Sequence, residues 1–150
     1  MDKMTDSWKA GELALTYKRT KPDGPKIVSS RDLEKIVRPM YGDSIEVREK
    51  FYAIGLSRSN KIRSCFELSA GSTSACLVDP KLLFSRLLLD NCSAFALCHN
   101  HPSGNTKPSQ SDINLTRDLK AGGKLLDLIL LDHIILTQDS KNSFADLGLL

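Results

Sequence analysis

The chain has 150 residues, enough for one domain that buries roughly two-thirds of the surface its unfolded form exposes, so a core can form without covalent staples. With 41% hydrophobic and 26% charged residues it lies outside the compositions of disordered chains, and no apolar run is long enough to span a bilayer. The net charge of +3 is unevenly spread, with 14 Lys/Arg against 9 Asp/Glu in residues 1–63 and 7 against 9 in residues 64–150, yet no run of four cations marks a nucleic-acid patch.

Asp2, Lys3, Asp6 and Lys9 break up the N-terminus, which does not read as a secretory leader; the expected location is cytoplasmic, with no membrane partner. Cys65, Cys76, Cys92 and Cys98 form no CxxC pair and are expected to be reduced and mostly buried. Residues 1–25 read as an extension or linker: a short strand at Glu12–Tyr17 and then the loop KRTKPDGPK, with Trp8 unplaced. Residues 26–150 read as one domain. Ser29 or Ser30 caps a helix whose Leu33, Ile36, Val37 and Met40 share a face, and Gly42 stops it. FYAIGL and KIRSCFELSA, separated by SRSN, read as a hairpin closed by Gly71. Asp79 and Pro80 start a helix with Leu82, Leu83, Leu87 and Leu88 on its apolar face, running to Asn91. SAFALC is a buried strand. Ser109 opens a third helix, carrying Ile113, Leu115 and Leu119 to an expected stop at Gly122 and Gly123, and a last strand covers Leu128 to Thr137. The fold class expected is α/β in the broad sense, an α+β mixed sheet flanked by helices.

Chemistry concentrates in CHNHPSGNTKPSQSD, residues 98–112. Side chains at i and i+2 leave a strand from one face, so His99 and His101 project side by side while Asn100 points away. Asp112 falls in the first turn of the following helix, where the helix dipole favours a carboxylate. Pro102, Gly104 and Pro108 shape a turn that can fold the helix start back over the strand end. Two imidazoles, one carboxylate and an open fourth position form the donor set of catalytic zinc, which lowers the pKa of water from about 15.7 to roughly 7. Such a site needs a proton acceptor, and Glu49, Glu46 and Glu67 all qualify by residue type. Ser109-x-x-Asp112 is equally a capping box. The adjacent letters HNH do not make an HNH nuclease, whose three residues stand far apart, and the Glu and PCxxC of a zinc deaminase are missing.

HNHPSGNTKPSQSD resembles the JAMM motif, HxHP-x6-Sxx-D, of MPN-type zinc metallopeptidases, and in its fuller form HNHPSG-x3-PS-x2-D it is similar to the RadC family within that group. EKFYAIGLSRSNKI, the GST at Gly71–Thr73, VDPKLLF and LLDHIIL extend the likeness over roughly residues 45–137. The resemblance implies a JAMM/MPN-like, cytidine-deaminase-like architecture with one Zn2+ per chain. By position, His99, His101 and Asp112 match the zinc ligands, Glu49 the general base, and Ser109 the hydroxyl that helps stabilise the oxyanion. The implied activity is hydrolysis of a peptide or isopeptide bond in a peptide or protein substrate. Leu56-Ser57 and Pro80-Lys81 depart from the family's Leu-Asp and PR without touching these residues. The alternative is a non-catalytic RadC-like module associated with DNA repair or mobile-element DNA, although the residues before the resemblance show no helix-hairpin-helix pair for DNA. His133, within LLDHIIL, is expected to be structural and bonded to backbone or Asp132.

Overall fold

A computed structural model describes residues 18, 20–71 and 78–150. The expected strand at Glu12–Tyr17, Trp8, the Ser72–Thr73 part of the GST turn and Cys76 lie outside the described residues. Helix α1 spans Ser30–Tyr41, strands β1 and β2 span Lys50–Leu56 and Ile62–Ala70, and α2 spans Pro80–Leu89. Strand β3 (Ala94–Asn100) leads through α3 (Gln110–Leu125) to β4 (Ile129–Leu136) and the short β5 (Lys141–Ser143). The five strands form one sheet in the order β2-β1-β3-β4-β5, with β3 and β4 parallel and every other pair antiparallel. This is the mixed sheet with flanking helices that the alternation of periods implies.

Strand alternation divides the core into two layers. Tyr52, Ile54, Leu56, Ala96, Cys98 and Ile134 pack with Leu33, Val37 and Tyr41 of α1. Phe51, Ala53, Phe95 and Leu97 pack on the other face with Leu83 and Leu87 of α2 and Leu119 of α3. Ser29 caps α1 by accepting from the Asp32 amide, and Gly42, at φ 50°, ends it. Asp79 caps α2 in the same way, with Pro80 in its first turn. Only Leu83 and Leu87 of the four expected leucines are buried; Leu82 and Leu88 face outward. Gly24 and Pro25, inside the expected linker, bond to Ile62 and so join the hairpin edge. Cys65, Cys92 and Cys98 are free thiols, and burial pushes them up to about 11, 11 and 12, which keeps them protonated and unreactive. Among the described residues no helix is long and apolar enough to cross a membrane.

The third helix does not stop at Gly122 and Gly123 but continues through them to Leu125. Their role is close approach. A Cβ on Gly123 would sit 2.6 Å from the Leu128 carbonyl oxygen and 2.8 Å from the Phe95 ring, and one on Gly122 would sit 2.9 Å from Phe84. Alanine favours a helix interior over glycine by up to about 1 kcal/mol, but here it meets backbone that cannot yield. We expect Gly123→Ala to lower stability by roughly 1–3 kcal/mol, the usual cost of overpacking, read from the urea midpoint.

Candidate metal centre

His99, one residue before the end of β3, is in register with Phe51 of β1 and Ile135 of β4, so it stands at the carboxyl edge of the parallel pair. Its ring is fully buried and stacks on Phe51, with centroids 5.2 Å apart and planes 3° apart. His101, two residues on, is held by its own amide bonding to the Leu136 carbonyl, and its Nδ1 lies 2.7 Å from the Asn105 carbonyl oxygen. A carbonyl only accepts, so His101 Nδ1 carries the hydrogen and the neutral ring presents a bare lone pair at Nε2. Gly104, at φ 82°, turns the loop, and Asn142 of β5 grips it through the Thr106 carbonyl.

Asp112 reaches the same point from α3. The capping box is real: the Asp112 amide donates to Ser109 Oγ at 3.1 Å, and the Ser109 amide donates to Asp112 Oδ2 at 2.7 Å. It does not exclude the ligand reading. Held by that bond, the carboxylate places Oδ1 3.3 Å from His99 Nε2 and Oδ2 3.4 Å from His101 Nε2. One donor atom from each of His99, His101 and Asp112 lies within 4.8 Å of the others, so the three could hold a metal ion.

The electrostatics of the cluster favour a cation. The two Nε2 atoms are 2.9 Å apart, a distance at which two lone pairs repel unless a hydrogen or a cation lies between or beside them. Burial works against charging His101, but the bonds to Asp112 and the Asn105 carbonyl and the charges of Asp112 and Glu49 outweigh it and raise its pKa. Burial likewise opposes ionisation of Asp112, and is overcome by the His101 and His99 imidazoles facing its two oxygens, which favour the carboxylate whenever either ring takes up a proton, so its carboxyl is held well below the usual carboxylate range. A cleft of about 720 Å³ lies at the other end of the sheet, lined by Ser57, Lys120 and Ile129 among others, and shares none of these residues.

A family model, that of the RadC-like JAB domain, matches residues 27–149. The chain belongs to the RadC-like JAB domain family. A UPF0758 protein of Flavobacterium johnsoniae is 40% identical over 124 residues, 83% of this chain and 53% of that protein. A UPF0758 protein of Fusobacterium nucleatum is 39% identical over 124 residues, 82% of this chain and 53% of the relative. One from Methanosarcina acetivorans is 37% identical over 123 residues with the same coverages. The chain thus spans about half the length of these curated relatives. The five-stranded mixed sheet flanked by helices agrees with a JAB/MPN-type fold.

In this RadC-like domain, two residues besides His99, His101 and Asp112 turn out to shape the site. Asn100 does point away from the histidines, but it is no idle spacer. It is fully buried, donates from Nδ2 to the Ile45 and Arg48 carbonyls at 2.7 and 2.9 Å, and accepts at Oδ1 from the Lys50 amide at 2.8 Å. These bonds grip the backbone on both sides of Glu49, whose charge is felt at His101. Glu46 is exposed, and Glu67 of β2 accepts from the Tyr52 hydroxyl instead. Each buried polar group left unpaired costs about 1–3 kcal/mol, so we expect Asn100→Ala to destabilise the fold by at least roughly 2 kcal/mol and to speed amide exchange at Lys50.

His133 corrects an expectation. Its ring bonds neither to Asp132 nor to backbone, but lies 2.8 Å from His99 Nδ1 through Nε2 and 2.6 Å from Thr116 Oγ1 through Nδ1. Successive residues of a strand face opposite ways, so the Asp132 carboxylate lies across the sheet, where it accepts from Ser143 Oγ and from the His133 and Ala145 amides. Burial holds the His133 pKa well below that of a free imidazole.

Proposed function

We propose that this domain is a zinc-dependent hydrolase of the JAMM type, acting on a peptide or isopeptide bond. The observation that carries the reading is the convergence of His99 Nε2, His101 Nε2 and an Asp112 carboxylate oxygen beside a segment that presents Glu49. The borderline-soft nitrogen pair with one carboxylate suits zinc and leaves room for a further donor. When bound, zinc supplies Lewis acidity, polarising a carbonyl and bringing the pKa of water to roughly 7.

The chain's own residues supply the proton traffic and the alignment. Glu49 accepts a proton from the attacking water at a carboxylate oxygen and delivers it to the leaving amine nitrogen, so one carboxyl serves as base and then acid. Ser109 Oγ accepts from the Asp112 amide, which leaves its own hydrogen free to donate to a carbonyl oxygen gaining negative charge. Asn100 fixes the backbone that carries Glu49. The Phe51 ring against His99 keeps water off one side of the imidazole.

The test is cleavage of a mixed library of peptides and lysine-linked isopeptides by the zinc-loaded protein, before and after chelation. Hydrolysis that disappears with chelator and returns with zinc is the expected result. A protein that takes up zinc and cleaves neither bond type would overturn the hydrolase reading.

A further inference from the structure

The chain of contacts running inward from His99 has a direction that can be worked out from its far end. Thr116 Oγ1 lies 2.6 Å from the Asp112 carbonyl oxygen and 2.6 Å from His133 Nδ1. A carbonyl oxygen has no hydrogen and a hydroxyl has one, so the Thr116 hydrogen lies on the Asp112 contact. Only lone pairs of Oγ1 are left to face His133, and His133 Nδ1 must therefore carry a hydrogen. His133 is fully buried between aromatic rings, Phe144 stacked at 4.7 Å and Phe51 at 5.2 Å between centroids, where an imidazolium is disfavoured. The second nitrogen of the neutral ring then offers a lone pair to His99 Nδ1 at 2.8 Å, and the hydrogen of that bond belongs to His99. Nε2 of His99 is left as a bare lone pair directed at His101 and Asp112.

We propose that Thr116 and His133 are positioning residues that lock His99 in its Nδ1–H tautomer and so present Nε2 as a metal donor. The proposal rests on the metal-centre reading above and adds two residues to it that lie 17 positions apart and contact each other inside the fold. The arrangement is a closed circuit. Asp112 begins it with its backbone carbonyl, which orients Thr116, and ends it with its carboxylate, which faces His99 Nε2. A shift of the first turn of α3 relative to β3 and β4 would disturb both ends together. A hydrogen-bond partner on the far nitrogen fixes the tautomer and orientation of a ligating imidazole.

The experiment uses the full chain, with zinc titrated against a chromophoric chelator and the imidazole nitrogen-proton correlation spectrum recorded on metal-free protein. His99 and His133 should both show the Nδ1–H pattern. Thr116→Val, nearly isosteric but without the hydroxyl, should weaken zinc binding by about 10–100-fold, the usual cost of losing a group that orients a ligating imidazole. Thr116→Ser should restore it. His133→Leu should behave like Thr116→Val, while His133→Gln should recover part of the affinity, because its amide oxygen can accept from His99. Unchanged affinity in Thr116→Val, or an Nε2–H pattern for His99 in the wild type, would overturn the proposal. The wild-type spectrum decides it even where a variant fails to fold. A wild type that binds no zinc sinks the metal-centre reading instead, and the tautomer of His99 is then judged from the same spectrum.

Discussion

Glu49→Gln should leave the protein folded and loaded with one zinc per chain while lowering turnover by roughly 10²–10⁴-fold, the range that a positioned general base contributes. The substitution keeps the size and shape of the side chain and removes its negative charge and its ability to take a proton. Glu49 stands outside the group of three that could hold the metal, so metal content should be indifferent to it. Its backbone is bonded to Gly71 and flanked by the Asn100 contacts, and those bonds do not involve the side chain. The measurement is zinc per chain together with initial rates on whatever peptide or isopeptide the library selects. Equal rates for the two proteins would show that another group moves the proton. A loss of zinc would show instead that Glu49 is a ligand.

Much of the centre could be read from the sequence because it is local. The spacing of two between His99 and His101 turns them to one side even though His101 lies just past the last residue of β3, and Ser109-x-x-Asp112 puts the carboxylate in the first turn of a helix. What the residues left open was whether Asp112 caps or faces the histidines, and one carboxylate with two oxygens does both. Glu49 was a different matter. It lies fifty residues from His99 in sequence order, and only the pairing of Phe51 with His99 brings it near. That register follows from sheet assembly, so the residues alone could not separate Glu49 from Glu46 and Glu67; the family resemblance did.

His133 shows the same limit more sharply. Its nearest polar neighbour in sequence is Asp132, yet the pleat sends the two to opposite faces, and its partners come from β3 and α3. Strand alternation was enough to exclude Asp132, but nothing local names Thr116. Gly122 and Gly123 misled for a related reason: glycine is read as a helix stop, and here the need for backbone to approach Phe84, Phe95 and Leu128 overrode propensity. The three residues of β5 are too few to carry a periodic signal, although they hold the loop between His101 and Ser109 through Asn142.

The second large effect is expected from removing the two histidines. In His99→Ala, His101→Ala, zinc content should fall from near one per chain to background and metal-dependent cleavage should vanish, because one carboxylate alone cannot hold the ion against water. Thermal melts separate this loss from unfolding. A ligand present at a hundred times its dissociation constant stabilises the native state by about 2.7 kcal/mol. For a chain of this size that corresponds to a rise in Tm of roughly 5–10 °C. The wild type should show that rise on adding zinc, and the double variant should not. Without metal, two opposing terms act on the variant. Deleting the buried His99 ring leaves a cavity against Phe51, while deleting both rings removes the repulsion between nitrogens 2.9 Å apart. The zinc-dependent increment is independent of how those terms balance, since each protein serves as its own metal-free reference. An equal zinc-dependent rise in wild type and variant would place the metal elsewhere on the chain.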